Sequence, residues 1–114
     1  MEINTLQNGN SSVLELKGRF DTITSKKLEE HVISLIESGE TQIVADCRHL
    51  DYACSSALRV FLMALKSLRQ KNGQIVLFGL QPQIKEVFDI SGFLDLFPIY
   101  QNQEEALNYL DNSN

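Results

Sequence analysis

The sequence predicts a single α/β domain whose sheet is mostly parallel. The chain has 114 residues, a length typical of one domain, and 43% of them are hydrophobic, enough for one modest core. Short apolar runs alternate with longer amphipathic segments, and strands separated by helices usually pair in parallel. An Asn-Gly pair near the start indicates a tight turn between two antiparallel strands. We therefore expect an N-terminal β-hairpin and a mostly parallel mixed sheet of about four or five strands, flanked by about four helices.

The first elements are a hairpin and a helix. Two β-like runs between residues 2 and 18 flank Asn8-Gly9, a pair that tolerates the positive φ angles of tight turns. A helix follows, with Thr24 or Ser25 as its expected N-cap. Its apolar residues recur at helical spacing: Leu28, Val32, Leu35 and Ile36.

A buried strand and the most strongly patterned helix come next. The run 42–45 is short and rich in β-branched residues, as expected of a strand buried on both faces, and Asp46 follows it. We expect a loop from Asp46 to Ser55 and then a helix over about 55–71. The apolar stripe of that helix is Leu58, Phe61, Leu62, Leu65 and Leu68.

The following segment predicts another strand, a helix and an edge strand. The apolar run 74–78 is typical of a buried strand, and Pro82 suits the first turn of the next helix. A short edge strand is expected within 97–100, because Pro98 would be poorly placed in the centre of a sheet.

A last helix is predicted from Asn102 and Glu105, which are spaced as in a capping box. Its apolar positions are Ala106, Tyr109 and Leu110. The tail 111–114 is expected to fray.

The predicted topology places three loops at one rim of the sheet. In a parallel sheet with right-handed crossovers, the carboxyl ends of the strands and the helix N-termini after them lie on the same side. We expect the loops 18–24, 46–55 and 79–82 to lie there or close by.

Charge and composition favour a protein partner. The net charge of −5 argues against binding to nucleic acid or to an anionic membrane, since both need clustered Lys and Arg. The chain shows no leader-like segment and has only two cysteines, which is consistent with a reducing cytoplasm. Its apolar runs are too short for direct membrane insertion.

Few residues suggest catalysis or ligand binding. The six glycines are scattered, so no phosphate-binding loop is predicted. Cys47 and His49 alone make a weak zinc pair, and we expect neither a metal site nor a cofactor. A hydrolase is an open alternative, with Cys54 or Ser55 as nucleophile, His49 as base and Asp46 as the orienting group. The glycine-flanked strained turn that often carries such a nucleophile is missing. Simple packing of Cys54 under the loop is the other interpretation.

The segment 46–62 carries a family resemblance. It reads DCRHLDYACSSALRVFL and joins a predicted strand to a helix through a loop ending in two serines. It resembles the signature of the STAS domain of bacterial anti-anti-sigma factors, also called anti-sigma factor antagonists. In that signature a strand, an apolar-aromatic loop, Asp-Ser-Ser/Thr-Gly-Leu and a helix follow one another. Leu58-Arg59 also fits family variants ending Ser-Ala-Gly-Leu-Arg.

The resemblance extends along the chain. The run Gly18-Arg19-Phe20-Asp21 looks like the family's Gly-x-hydrophobic-Asp turn, and the element order and length match over nearly all of residues 1–114. The whole chain is therefore interpreted as a single STAS-like domain.

The resemblance implies a regulatory role without catalysis. The first serine of the pair, Ser55, would be the phosphoacceptor, with Ser56 as the second candidate. An anti-sigma factor with serine kinase activity would add the phosphate, and a serine phosphatase would remove it. The unmodified protein would bind the anti-sigma factor and so release a sigma factor.

The expected partner-binding rim consists of Asp21, Asp46, Cys54, Ser56, Ala57 and Arg59. Two of these positions depart from the family pattern, because Cys54 replaces its Asp and Ala57 replaces its Gly. The first change removes a carboxylate that helps to position the hydroxyl. The second adds a methyl group that hinders close approach of a partner to the backbone.

Other interpretations of the same residues stay open. Asp21 and Asp46 are also interpretable as solvated loop carboxylates without a binding role. Ser55 is also a good N-cap residue, a role that contributes about 1 kcal/mol. A different STAS role is that of a constitutive subunit of a transporter complex, as in bacterial lipid transport.

Overall fold

The computed structural model describes residues 2–112 and contains nine elements in chain order. The strands are β1 (Glu2–Asn8), β2 (Ser11–Phe20), β3 (Gln42–Ala53), β4 (Gln74–Phe78) and β5 (Ile99–Tyr100). The helices are α1 (Thr24–Glu37), α2 (Ser55–Arg69), α3 (Pro82–Ile90) and α4 (Gln103–Asn112).

The strands form one five-stranded sheet in the order β1-β2-β3-β4-β5. β1 is antiparallel to β2, and every other neighbouring pair is parallel. The expected α/β class, hairpin, mixed sheet and helix number are therefore confirmed. Asn8 pairs with Ser11, and Gly9 has a φ of 61° at the first central position of the turn, where a type II′ hairpin needs glycine.

Rows of paired side chains fix which helices cover each face of the sheet. Val13, Val44 and Val76 lie in register across β2, β3 and β4 and pack with the buried residues of α4. The next row, Leu14, Ala45 and Leu77, belongs to the main core with α1, α2 and α3. The sheet therefore lies between three helices on one face and α4 on the other.

β3 is much longer than predicted. The sequence predicted a strand over 42–45 and a loop from Asp46 to Ser55, but pairing with β2 continues to Ala53, which lies opposite Phe20. Only the first half of β3 is also paired with β4, whose last register pair joins Asp46 to Phe78.

The second half of β3 lacks the alternating burial that identifies a strand, because its pairing with β2 contains two register shifts. Between the pairs Glu15–Asp46 and Lys17–His49, β3 contains one more residue than β2, and a second shift follows Gly18. As a result, the buried residues in this part of β3 recur every third position: Cys47, Leu50 and Ala53. Alternating burial is the usual signal of a strand, so this segment resembled a loop.

The C-terminal elements agree with most of the expectations. The β5 strand is an edge strand but spans only Ile99–Tyr100, and Phe97, which precedes it, is buried in the main core. Asn102 Oδ1 accepts the Glu105 backbone N–H at 2.9 Å, and Asn102 Nδ2 donates to Glu105 Oε1 at 3.1 Å, which confirms the capping box.

α4 continues through Asn112, so residues 111 and 112 of the expected tail belong to a helix. Residues 113 and 114 lie outside the described residues. Within residues 2–112, no helix combines the length and the apolar character that crossing a membrane requires.

Candidate functional site

Ser55 is exposed at the first position of α2, immediately beyond the end of β3. Cys54 is the single residue between the strand and the helix, and its backbone is extended, with φ −82° and ψ 177°. The Cys54 N–H donates to Phe20 O at 3.0 Å, and Cys54 O accepts the Leu58 N–H at 3.1 Å. The first bond ties the start of α2 to the end of β2, and the second begins the hydrogen bonding of the helix, so Ser55 lies on a defined backbone.

Cys54, and not Ser55, occupies the N-cap position of α2. The interpretation of Ser55 as an ordinary N-cap is therefore wrong. The first turn of α2 contains no acidic residue, and Cys54 makes no side-chain capping hydrogen bond of ordinary length. This helix end retains its favourable potential for negative charge, since no carboxylate neutralises it.

The Cys54 thiol is half-buried beside Ser25, with 3.7 Å between Cys54 Sγ and Ser25 Oγ. Burial raises the pKa of the Cys54 thiol. The backbone N–H groups of Ala57 and Ser56 and the hydroxyls of Ser25 and Ser56 favour the thiolate and outweigh burial, so its pKa lies below the ordinary value.

Asp21 is exposed, and its carboxylate binds the turn that leads into α1. The N-cap position of α1 is Ile23, so the expectation of Thr24 or Ser25 as N-cap is wrong. Its Oδ1 accepts the N–H groups of Ile23 at 3.0 Å and Thr24 at 2.9 Å, and Thr24 Oγ1 accepts the Asp21 N–H at 2.9 Å. The Thr24 backbone N–H is the main cause of a lowered pKa of the Asp21 carboxyl.

Asp46 does not belong to an exposed rim. It is 2% exposed, and its carboxylate is bound by Arg48: Nε lies 3.0 Å from Oδ1 and Nη2 lies 2.8 Å from Oδ2. Burial raises the pKa of the Asp46 carboxyl, but the hydrogen bonds from Arg48 outweigh it, and the pKa is lowered. The expectation that Asp46 contacts a partner is wrong, because its neighbours in the sheet and Arg48 cover it.

The loop from β4 to α3 packs against the extended part of β3. Gln81 Nε2 donates to Arg48 O at 3.0 Å and to Asp51 Oδ1 at 3.2 Å. Gly79 has a φ of 73° and faces the Arg48 side chain so closely that an added Cβ would lie 2.5 Å from Arg48 Cγ. These contacts hold the 79–82 loop beside β3, as the topology predicted.

Ala57 is fully buried in the main core. Its methyl group therefore points into the protein, and the expectation that it lies on the partner-facing rim and hinders approach is wrong. Ser56 is half-buried and Arg59 is exposed. Of the expected rim, Asp21, Cys54, Ser56 and Arg59 remain accessible.

A groove of about 360 Å³ between α1 and α2 lies beside Ser56. Its lining residues are Thr22, Ser25, Lys26, Glu29, Ser56, Arg59, Val60 and Met63. Lys26 was not predicted as a site residue, although its place on the polar side of the amphipathic α1 was a usable signal. Arg19 was noted only as part of the turn before α1; its guanidinium lies 4.3 Å from the centre of the Tyr52 ring.

The residues proposed for a hydrolase do not form a catalytic set. Asp46 is bound to Arg48, while His49 is exposed and lies opposite Lys17 in the sheet. Cys47 is fully buried, and burial raises the pKa of its thiol. Within residues 2–112, no three His, Cys, Asp or Glu side chains are grouped as metal ligands.

Comparison with known proteins identifies the family. The STAS domain family matches residues 2–106. A protein of Bordetella bronchiseptica described as an anti-sigma factor antagonist, BtrV, is 41% identical over 91 residues, covering 80% of this chain and 78% of that protein. The anti-sigma-B factor antagonist of Listeria monocytogenes is 34% identical over 92 residues, covering 80% of this chain and 79% of that protein.

The fold is also similar to solved structures of the anti-sigma factor antagonist SpoIIAA. Its unphosphorylated form has a TM-score of 0.86 at 20% identity and covers 97% of both chains. The phosphorylated form from Bacillus has a TM-score of 0.76 at 22% identity, covering 95% of this chain and 98% of that one. With a family match over residues 2–106 and this fold, the chain belongs to the STAS domain family.

Proposed function

We propose that this protein is an anti-sigma factor antagonist, a regulatory binding partner in the bacterial cytoplasm and not an enzyme. The observation that carries the proposal is the exposed Ser55 hydroxyl at the first position of α2, on a backbone fixed by the Cys54–Phe20 hydrogen bond. The relatives that are 41% and 34% identical are both described as antagonists of anti-sigma factors, which supports this role over that of a transporter subunit.

The partner is an anti-sigma factor with serine kinase activity. It binds the accessible residues around the start of α2, which are Asp21, Cys54, Ser55, Ser56 and Arg59. Binding of the unmodified protein displaces a sigma factor from the anti-sigma factor. The rigid connection of β3 to α2 supports recognition of a preformed surface, which avoids the cost of ordering a loop on binding.

Phosphorylation of Ser55 switches the protein off. The kinase transfers the γ-phosphoryl group of ATP to Ser55 Oγ, the hydroxyl proton passes to a base of the kinase, and ADP leaves. A serine phosphatase later hydrolyses the ester with water, releasing inorganic phosphate and restoring the hydroxyl. This protein is the substrate in both reactions.

The phosphate changes the surface and leaves the fold intact. It carries about −1.5 to −2 charges at neutral pH, and a helix N-terminus accommodates such charge. A loss of about 3 kcal/mol in partner binding corresponds to roughly a hundredfold weaker complex.

Kinase treatment tests the choice of acceptor. The protein is incubated with its cognate anti-sigma kinase and ATP, and the intact mass is measured. We expect one added phosphate in the wild type, in Ser56→Ala and in Cys54→Ala, and none in Ser55→Ala. Retention of the added mass in Ser55→Ala would assign the phosphate elsewhere.

A pull-down of the anti-sigma factor tests whether negative charge at position 55 weakens binding. Ser55→Asp is compared with Ser34→Asp, which adds the same charge at an exposed site in the last turn of α1, at the opposite end of that helix from Asp21. We expect the anti-sigma factor to be recovered by the wild type and by Ser34→Asp, and much less by Ser55→Asp. Equal recovery by all three would contradict the switch.

A further inference from the structure

Arg59 lies one helical turn after Ser55 on α2, and its side chain is exposed. Residues four apart on a helix are neighbours, with about 5–6 Å between their Cβ atoms. Side chains on helices lean toward the N-terminus, so a long side chain covers the turn before its own Cα. The Arg59 guanidinium is therefore within reach of any group attached to Ser55 Oγ.

The charges around Arg59 leave this guanidinium available. Within the described residues, neither Arg59 nor Lys26 forms an ion pair. Both line the groove between α1 and α2, in which Glu29 is the single acidic lining residue. An arginine is well suited to a phosphate, because its planar N–H groups bind two oxygens at once.

We infer that Arg59 binds the phosphate of phosphorylated Ser55 on the surface of this same chain, with Lys26 across the groove adding positive potential. The inference rests on the proposed function, since it concerns the modified form of Ser55. Its consequence is that phosphorylation has two effects on a partner. It adds negative charge, and it removes Arg59 from the set of residues that the partner can contact.

The test uses the full chain with phosphoserine incorporated at position 55 during translation, so no kinase is needed. Four proteins are compared: wild type and Arg59→Gln, each with serine or phosphoserine at position 55. The first readout is the NMR resonance of the Arg59 Nε–H. We expect it to shift downfield on phosphorylation, as a guanidinium N–H does when it donates to a phosphate oxygen.

The second readout is the midpoint of thermal unfolding. The helix end favours the phosphate in both backgrounds, so the comparison between backgrounds isolates Arg59. We expect phosphorylation to raise the midpoint by about 2–4 °C more in the wild type than in Arg59→Gln, and this difference to shrink in high salt. Arg69→Gln, at the other end of α2, is the matched control and should respond like the wild type.

The inference is overturned if the Arg59 Nε–H resonance does not move, or if phosphorylation changes the unfolding midpoint equally in the wild type and in Arg59→Gln. Neither readout involves an anti-sigma factor or a kinase. Failure of the proposed function would appear only in the kinase and recovery experiments, so the two failures are distinguishable.

Discussion

The guanidinium of Arg48 and the buried carboxylate of Asp46 form a two-point ion pair, at 3.0 and 2.8 Å, two residues apart on the same strand. The Arg48 N–H also donates to Asp46 Oδ1 at 3.1 Å. The register shift in this part of β3 accompanies these contacts, and the exposed Arg48 side chain covers Asp46. The pair therefore lies at the point where the pairing of β3 with β2 changes register.

Replacing Arg48 should destabilise the fold in a pH-dependent way. Arg48→Ala leaves the buried Asp46 carboxylate without its cation, at a cost of about 1–2 kcal/mol after allowance for the exposure of Arg48. The pKa of Asp46 is lowered in the native protein, so the pair stabilises the fold above the unfolded pKa and is lost as pH falls through the folded value.

Urea unfolding at several pH values measures this effect. The difference in unfolding free energy between wild type and Arg48→Ala should be largest near neutral pH and should shrink in acid, where Asp46 becomes protonated. Arg69→Ala removes an exposed arginine elsewhere and serves as the control. A difference that does not change with pH would contradict the assigned role of the pair.

Adding a methyl group at Gly79 should disturb the same ion pair. The new Cβ would lie 2.5 Å from Arg48 Cγ on a backbone with φ 73°, and we expect Gly79→Ala to cost about 2–3 kcal/mol. Gly9→Ala has a similar φ of 61° but an open environment, so it lacks the contact with Arg48 and should cost less, about 1–2 kcal/mol. When Arg48 is also replaced by alanine, the clash between the new Cβ and Arg48 Cγ is removed, so Gly79→Ala should cost no more than Gly9→Ala. Chemical denaturation of the single and double variants measures these differences in unfolding free energy.

Removing the Asp21 carboxylate should weaken the start of α1. Asp21→Ala loses the acceptor for two backbone N–H groups, whereas Asp21→Asn keeps one oxygen and should recover part of the loss. Because the pKa of Asp21 is lowered, its stabilising effect is present above the unfolded pKa and is lost as pH falls through the folded value. Hydrogen exchange of the first turn of α1 measures the change, and equal protection in all three proteins would contradict this role of Asp21.

The two cysteines should differ in reactivity. Cys54 is half-buried with a lowered thiol pKa, whereas Cys47 is fully buried. Iodoacetamide should modify Cys54 in the folded protein and reach Cys47 only after denaturation. Ser25→Ala removes a hydroxyl that favours the thiolate, so the pH at which Cys54 reacts at half its maximal rate should rise. Peptide mass mapping follows both sites, and faster labelling of Cys47 would contradict the assignment.

The regular elements were predictable because local patterns determine them. Four of the five residues in the run 74–78 are apolar and suited to a buried strand, and the structure places β4 over the whole run. The capping box at Asn102 depends on two residues three positions apart, so it is visible without any tertiary information.

The errors arose where tertiary contacts decide the structure. Asp46 was expected on an exposed rim because it was placed at the end of a strand and the start of a loop, whereas it is buried within β3 and bound by the guanidinium of Arg48. The inward direction of Ala57 follows from where α2 packs on the sheet. Neither the register of β2 and β3 nor the packing of α2 is encoded in a short sequence window.

Only Cys54 separates the last residue of β3 from the first residue of α2. A protein that recognises Ser55 therefore meets a folded surface, and it has no flexible segment to draw into an extended active-site cleft. An isolated peptide covering residues 50–60 lacks both the strand and the helix that present the hydroxyl. It would therefore be a poor substrate, even though it contains the residues that flank Ser55 in the sequence.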